Sequence, residues 1–159
     1  MIESSVQSWT FRNRSDWGKG PWNDENIDKK VWVDKSTGLD CMIHRNHSGS
    51  WCGYAAVKPG HPLYGRDYNN YEDLIDLHEV HGGLTFSGGC HGMNEDGSGI
   101  CHPADDGQHV WWFGFDCSHC FDLSPINYGG GDGYDYRDES YVTEQVTLLA
   151  KLIAATSNK

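Results

Sequence analysis

Apolar residues gather most densely from Val110 to Asp122, in the order Val-Trp-Trp-Phe-Gly-Phe-Asp-Cys-Ser-His-Cys-Phe-Asp. In a strand, successive side chains point to opposite faces. Trp111, Phe113, Phe115, Cys117 and His119 then share one face, and Val110, Trp112, Gly114 and Asp116 share the other. A strand apolar on both faces is expected at the centre of a sheet, covered twice. Its polar end would set Cys117 and His119 side by side, roughly 7 Å apart at the backbone.

The remaining pattern predicts shorter elements around this one. Residues 1–30 are polar and punctuated by Trp9, Phe11, Trp17 and Trp22, which reads as an irregular arm pinned by aromatics. Val31–Asp34 and Leu39–Arg45 flank the turn Lys35-Ser36-Thr37-Gly38, a hairpin in which Gly38 supplies the left-handed residue. Trp51–Val57 is a third strand, and Leu84-Thr85-Phe86 begins another. Tyr71, Leu74, Ile75 and His78 recur at three-and-four spacing, which predicts a short helix over 68–77 ended by Gly82-Gly83. Residues 88–107 and 124–133 are rich in Gly, Asp and Pro and read as loops. The last segment, 138–155, opens on Asp138 and Glu139, where negative charge suits a helix N-terminus. Val142, Val146, Leu149, Leu152 and Ile153 form its apolar stripe. The prediction is one α+β domain over 1–159: a mostly antiparallel sheet with a central aromatic strand, covered by a C-terminal amphipathic helix.

Composition adds three limits. Seven Trp, eight Tyr and five Phe let a chain of 159 residues build a core that is poor in Leu and Ile. A net charge of −11 argues against tracking a nucleic-acid backbone, which needs clustered Lys and Arg. No stretch approaches a membrane span, and the first residues lack the basic and apolar regions of a signal peptide. A cytoplasmic setting is therefore expected, where the six Cys serve as thiols or metal ligands rather than disulfides.

Several phrases together resemble a family of uncharacterised small proteins of bacteriophages and bacteria. They are Thr37-Gly38-Leu39 with Cys41, Cys52-Gly53-Tyr54, His61-Pro62-Leu63-Tyr64-Gly65, His81-Gly82-Gly83-Leu84-Thr85, Trp111 to Cys117 with His119, and Tyr136-Arg137-Asp138. The resemblance covers most of the chain after Val31. It implies a bacterial or phage-infected cell and no particular activity. Cys120 and the glycines of 129–133 depart from the family pattern.

Candidate chemistry follows from ligand types. Zinc takes four Cys, His or carboxylate ligands, and His81, Cys90, Cys101, Cys117 and His119 are the candidates here. Their spacing matches no standard zinc finger, because Cys-x-x-Cys occurs once, at Cys117 to Cys120, without a second copy. Three protein ligands would leave a position for water, with Asp116 or Glu79 as general base. The competing reading of Cys117 is a small buried hydrophobe, and of Asp116 a turn cap. His61, Tyr64, Arg66 and Trp112 are aromatic or cationic groups suited to a small polar or nucleotide-like ligand. The leading expectation is a zinc-binding protein, of a kind that could act as a metal-assisted hydrolase. The alternative is a non-catalytic module that binds a small molecule or a host protein.

Overall fold

A computed structural model describes residues 6–71, 75–77, 79–89, 99–100, 110–118, 122–125 and 135–156. Six strands form one sheet: β1 Gln7–Trp9, β2 Lys29–Val33, β3 Asp40–Arg45, β4 Trp51–Val57, β5 Phe86–Gly89 and β6 Trp111–Asp116. Their spatial order is β1-β2-β3-β4-β6-β5, and every pairing is antiparallel. Asp122–Leu123 (β7) and Asp135–Tyr136 (β8) make a small parallel pair apart from the sheet. Among the described residues one α-helix, α1, spans Glu139–Thr156. No helix among the described residues is long and apolar enough to cross a membrane.

The aromatic strand β6 is paired on both sides and buried on both faces, but it is not central. It lies second from the edge, beneath the short β5, while β3 and β4 hold the middle. Its predicted face assignment matches the two cores. Phe113, Phe115 and Cys117 pack with the α1 stripe of Val142, Val146, Leu149 and Ile153. Trp112 packs on the other face with Val31, Met42, Cys52, Tyr54 and Ala56. Two glycines make this double burial possible. Gly53 lies opposite Phe115 and Gly114 opposite Tyr54. A Cβ on Gly53 would meet Phe115 Cζ at 2.5 Å, and one on Gly114 would meet Tyr54 Cε2 at 2.5 Å. Each ring thus lies over a bare backbone, one on either side of the sheet.

The remaining predictions fare unevenly. Gly38 supplies the left-handed turn residue at φ 75°, as expected. Asp138 caps α1, its Oδ1 accepting the Tyr141 N–H at 2.8 Å. The expected helix over 68–77 is not formed in its described residues, which are turn and irregular chain. Of the periodic positions described, Tyr71 is buried and Ile75 half-buried, and the Ile75 N–H donates to Tyr71 O at 3.3 Å, a single helical-type turn. The arm is less irregular than expected: Gln7–Trp9 adds an edge strand and Pro21–Asp24 forms a 3-10 turn.

A charged node, absent from the sequence reading, ties that arm to the sheet and helix. Arg45 is fully buried. It pairs with Glu25 Oε1 at 2.9 Å and Asp28 Oδ1 at 3.3 Å, and lies 4.2 Å from the Trp51 ring centroid. Glu25 also accepts from Trp51 Nε1, from the Tyr136 hydroxyl, and through Oε2 from the Glu139 N–H at 2.7 Å. One carboxylate therefore joins the arm, β3, β4, β8 and the positive end of α1.

Candidate functional site

The chain segment His81-Gly82-Gly83 makes a turn with both glycines in the left-handed region, at φ 69° and 76°. Side chains other than Gly rarely adopt two such positions in succession. The turn aims His81 at the first turns of α1 and at β7. The His81 N–H donates to Gln145 Oε1 at 2.9 Å, which fixes the backbone. Its ring is held at both nitrogens. Nδ1 lies 2.7 Å from the Tyr141 hydroxyl, and Nε2 lies 2.8 Å from Asp122 Oδ2.

Asp122 is 2% exposed at its side chain and is held from the other side by Arg137, whose Nε donates to Oδ1 at 3.1 Å. Arg137 also lies over the Tyr141 ring, 4.9 Å from its centroid. The guanidinium favours the ionised form of Asp122. An ionised Asp122 accepts the Nε2 proton, which leaves Nδ1 to accept from Tyr141. Burial pushes the Tyr141 hydroxyl above its ordinary value, Arg137 opposes this, and Cys117 and Asp122 add to it. At neutral pH the hydroxyl is therefore protonated.

Cys117 adjoins this group. Burial, then Asp122, then Cys52 and Asp116 push its thiol upward, with Arg137 acting in the opposite sense. Of the five expected metal ligands, His81 is hydrogen-bonded to Asp122, and Cys117 is near enough to feel that carboxylate's charge. Cys90, Cys101 and His119 lie outside the described residues. Among the described residues, no group of three or more His, Cys, Asp or Glu side chains is placed to hold a metal ion.

The other expected site residues disperse. Asp116 points to the sheet face opposite Cys117, where it accepts from Thr85 Oγ1 at 3.1 Å and from the Ser118 N–H at 3.0 Å. That is turn-capping work, and the sheet separates it from His81. Glu79 is exposed on a turn. His61 bridges Ile153 O at 3.2 Å and the Leu63 N–H at 3.1 Å, and burial lowers its pKa. Tyr64 leans on Trp111, with ring centroids 6.2 Å apart, and Arg66 O accepts from Trp111 Nε1 at 2.7 Å. Trp112 is 0% exposed on the far face. The expected ligand wall of His61, Tyr64, Arg66 and Trp112 is therefore not one surface. Its Trp is the half-buried Trp111, and Trp112 is core.

Sequence reasoning offered Asp116 and Glu79 as the working carboxylates and assigned no chemistry to Tyr141, Arg137 or Gln145. One signal was available: Tyr141 and Gln145 stand one helical turn apart beside the apolar stripe. No known family model, curated protein or solved structure matches the chain.

Proposed function

We propose that the protein is a hydrolase-type enzyme whose working group is Tyr141, activated by His81 and Asp122, on a small polar substrate. The observation that carries this reading is the unbroken chain from the Tyr141 hydroxyl through both His81 nitrogens to a carboxylate anchored by Arg137. His81 Nδ1 takes the phenol proton as the Tyr141 oxygen adds to a substrate carbonyl, returns it to the departing group as that bond breaks, and then activates the water that frees the tyrosyl ester. Asp122 stabilises the imidazolium that forms and does not itself take the proton. Arg137 faces the resulting phenolate with positive charge. Tyr141 is half-buried whereas Asp122 is 2% exposed at its side chain, so a substrate meets the Tyr141 end of the chain. A positioned base of this kind contributes about 10²–10⁴ in rate.

The test needs no known substrate. An aryl sulfonyl fluoride modifies activated tyrosines, and peptide mass spectrometry locates the label. Tyr141 is expected to react faster than the exposed Tyr68. His81→Gln should slow that labelling by about 100-fold, in line with loss of a general base. Equal labelling of Tyr141 with and without His81 refutes the reading.

Zinc binding is a second reading that rests on His81 and Cys117 as ligand types zinc accepts, with no group of three such side chains placed to hold an ion among the described residues. It requires His81 to exchange a hydrogen bond for the ion. Elemental analysis distinguishes it.

A further inference from the structure

The sheet face opposite α1 carries a second polar feature, separate from the Tyr141 relay. Four ionisable side chains stand in register across it. Lys29 on β2 pairs with His44 on β3, His44 with Cys52 on β4, and Cys52 with Asp116 on β6. Directly opposed residues on one face have Cβ atoms about 5 Å apart, so the row is a contiguous line. Lys29 is 0% and His44 7% exposed.

The chain at Gly99–Ile100 lies over the Lys29–His44 end. Lys29 Nζ donates to Gly99 O at 2.9 Å, and the Gly99 N–H donates to His44 Nε2 at 3.4 Å. Both polar groups of one peptide residue are thus held by buried side chains. Ile100 packs against the apolar cluster of Val31, Met42, Tyr54 and Trp112 beside them. Lys29 also lies 5.0 Å from the Trp9 ring centroid, and the Phe11 ring lies 5.3 Å from His44.

We infer that Lys29 and His44 form a latch that fastens Gly99–Ile100 to the sheet and releases them on acidification. The chemistry lies in the imidazole. Neutral His44 accepts at Nε2. Protonated there, it becomes a donor facing the Gly99 N–H, and it places a second positive charge beside Lys29. The groups that face it are Lys29 on β2, Arg12 and Asp28 from the arm, Cys52 on β4 and, beyond Cys52, Asp116 on β6. Asp28 offers limited compensation, because its carboxylate already pairs with Arg14 and Arg45.

The direction of the pH effect follows. Burial, then Lys29 and Arg12, lower the His44 pKa from 6.5 to about 4. Lys29 and Arg12 stay beside the ring when Gly99–Ile100 lift, so an opened form takes the proton at a higher pH than the latched form but below the free value of 6.5. The latch is at full strength above pH 6.5 and weakens as pH falls through that interval. The weakening is at most tenfold per pH unit, with about 300-fold as its ceiling.

Amide hydrogen exchange read by NMR tests this, with rates corrected for intrinsic pH dependence. From pH 7 to pH 5, protection at Gly99 and Ile100 is expected to fall severalfold, within a ceiling of about tenfold per pH unit. The Val146 amide, in the buried stripe of α1, reports global unfolding and should keep its protection. His44→Gln retains an acceptor without a titrating proton, and should flatten the pH dependence at Gly99. Should that variant fail to fold, the wild-type His44 ring shift supplies the measurement, and its titration must parallel the Gly99 amide shift. Protection at Gly99 that persists through the His44 titration overturns the proposal. So does an unchanged pH dependence in His44→Gln, or loss of protection at Gly99 only together with Val146.

Discussion

Glu25 belongs to a segment with no regular strand or α-helix of its own, yet its removal should be among the most damaging single changes to this fold. Glu25→Ala strips Arg45, which is fully buried, of one of its two carboxylate partners. Breaking a buried ion pair from one side costs about 3–5 kcal/mol. Asp28 remains at 3.3 Å and lessens that loss. Against this, the Tyr136 hydroxyl and Trp51 Nε1 lose the same acceptor, and each unsatisfied buried donor costs about 1–3 kcal/mol. The Glu139 N–H at the start of α1 also loses its carboxylate. These terms share one group and do not add independently, so about 4 kcal/mol is the expected total. That is a large part of the roughly 5–15 kcal/mol that holds a domain together. At about 2–4 °C per kcal/mol for a chain of this size, Tm should fall by roughly 8–16 °C. Urea unfolding followed by tryptophan fluorescence should show a lower midpoint at unchanged slope. Glu25→Gln, which keeps an acceptor but not the charge, should lie between the two. A loss below about 1 kcal/mol for Glu25→Ala would place this carboxylate with exposed ion pairs and refute the reasoning.

Gly114→Ala tests the double burial of β6. Its Cβ would enter the Tyr54 ring, at 2.5 Å from Cε2, and overpacking of this kind costs about 1–3 kcal/mol; a thermal melt indistinguishable from wild type would show that the ring moves aside freely. For the zinc reading, protein purified without chelator should carry about one zinc per chain, and Cys117→Ser should lower that content. Absence of zinc, with a melting temperature indifferent to chelator, removes that reading and leaves the Tyr141 relay standing by itself.

Alternation and helical spacing act locally, and where they were read they held well. The two faces of Trp111–Cys117, the strand Trp51–Val57, the Gly38 turn and the apolar stripe of α1 follow from side-chain period alone, because burial of one face enforces it. The spacing over 68–77 predicted more helix than the described residues carry: Tyr71 and Ile75 are joined by one helical-type hydrogen bond, and periodicity registers burial without fixing how far a helix extends. The position of β6 was beyond local pattern. The strand is apolar on both sides because α1 covers one face and Trp112 packs with Tyr54 and Ile100 on the other, and neither demand fixes its rank in the sheet.

The chemistry divides in the same way. That His81 would be presented by the turn ending in Gly82-Gly83, and that Cys117 would emerge beyond an aromatic strand, could be read from neighbours in sequence. That His81 meets Tyr141 and Asp122, that Glu25 reaches the start of α1, and that Lys29, His44, Cys52 and Asp116 fall in one line were decided only in three dimensions. Each depends on strand register or helix docking between residues far apart in the chain. A residue's local sequence carries its own preference for strand or helix, whereas its partners are chosen by the packing of whole elements against one another.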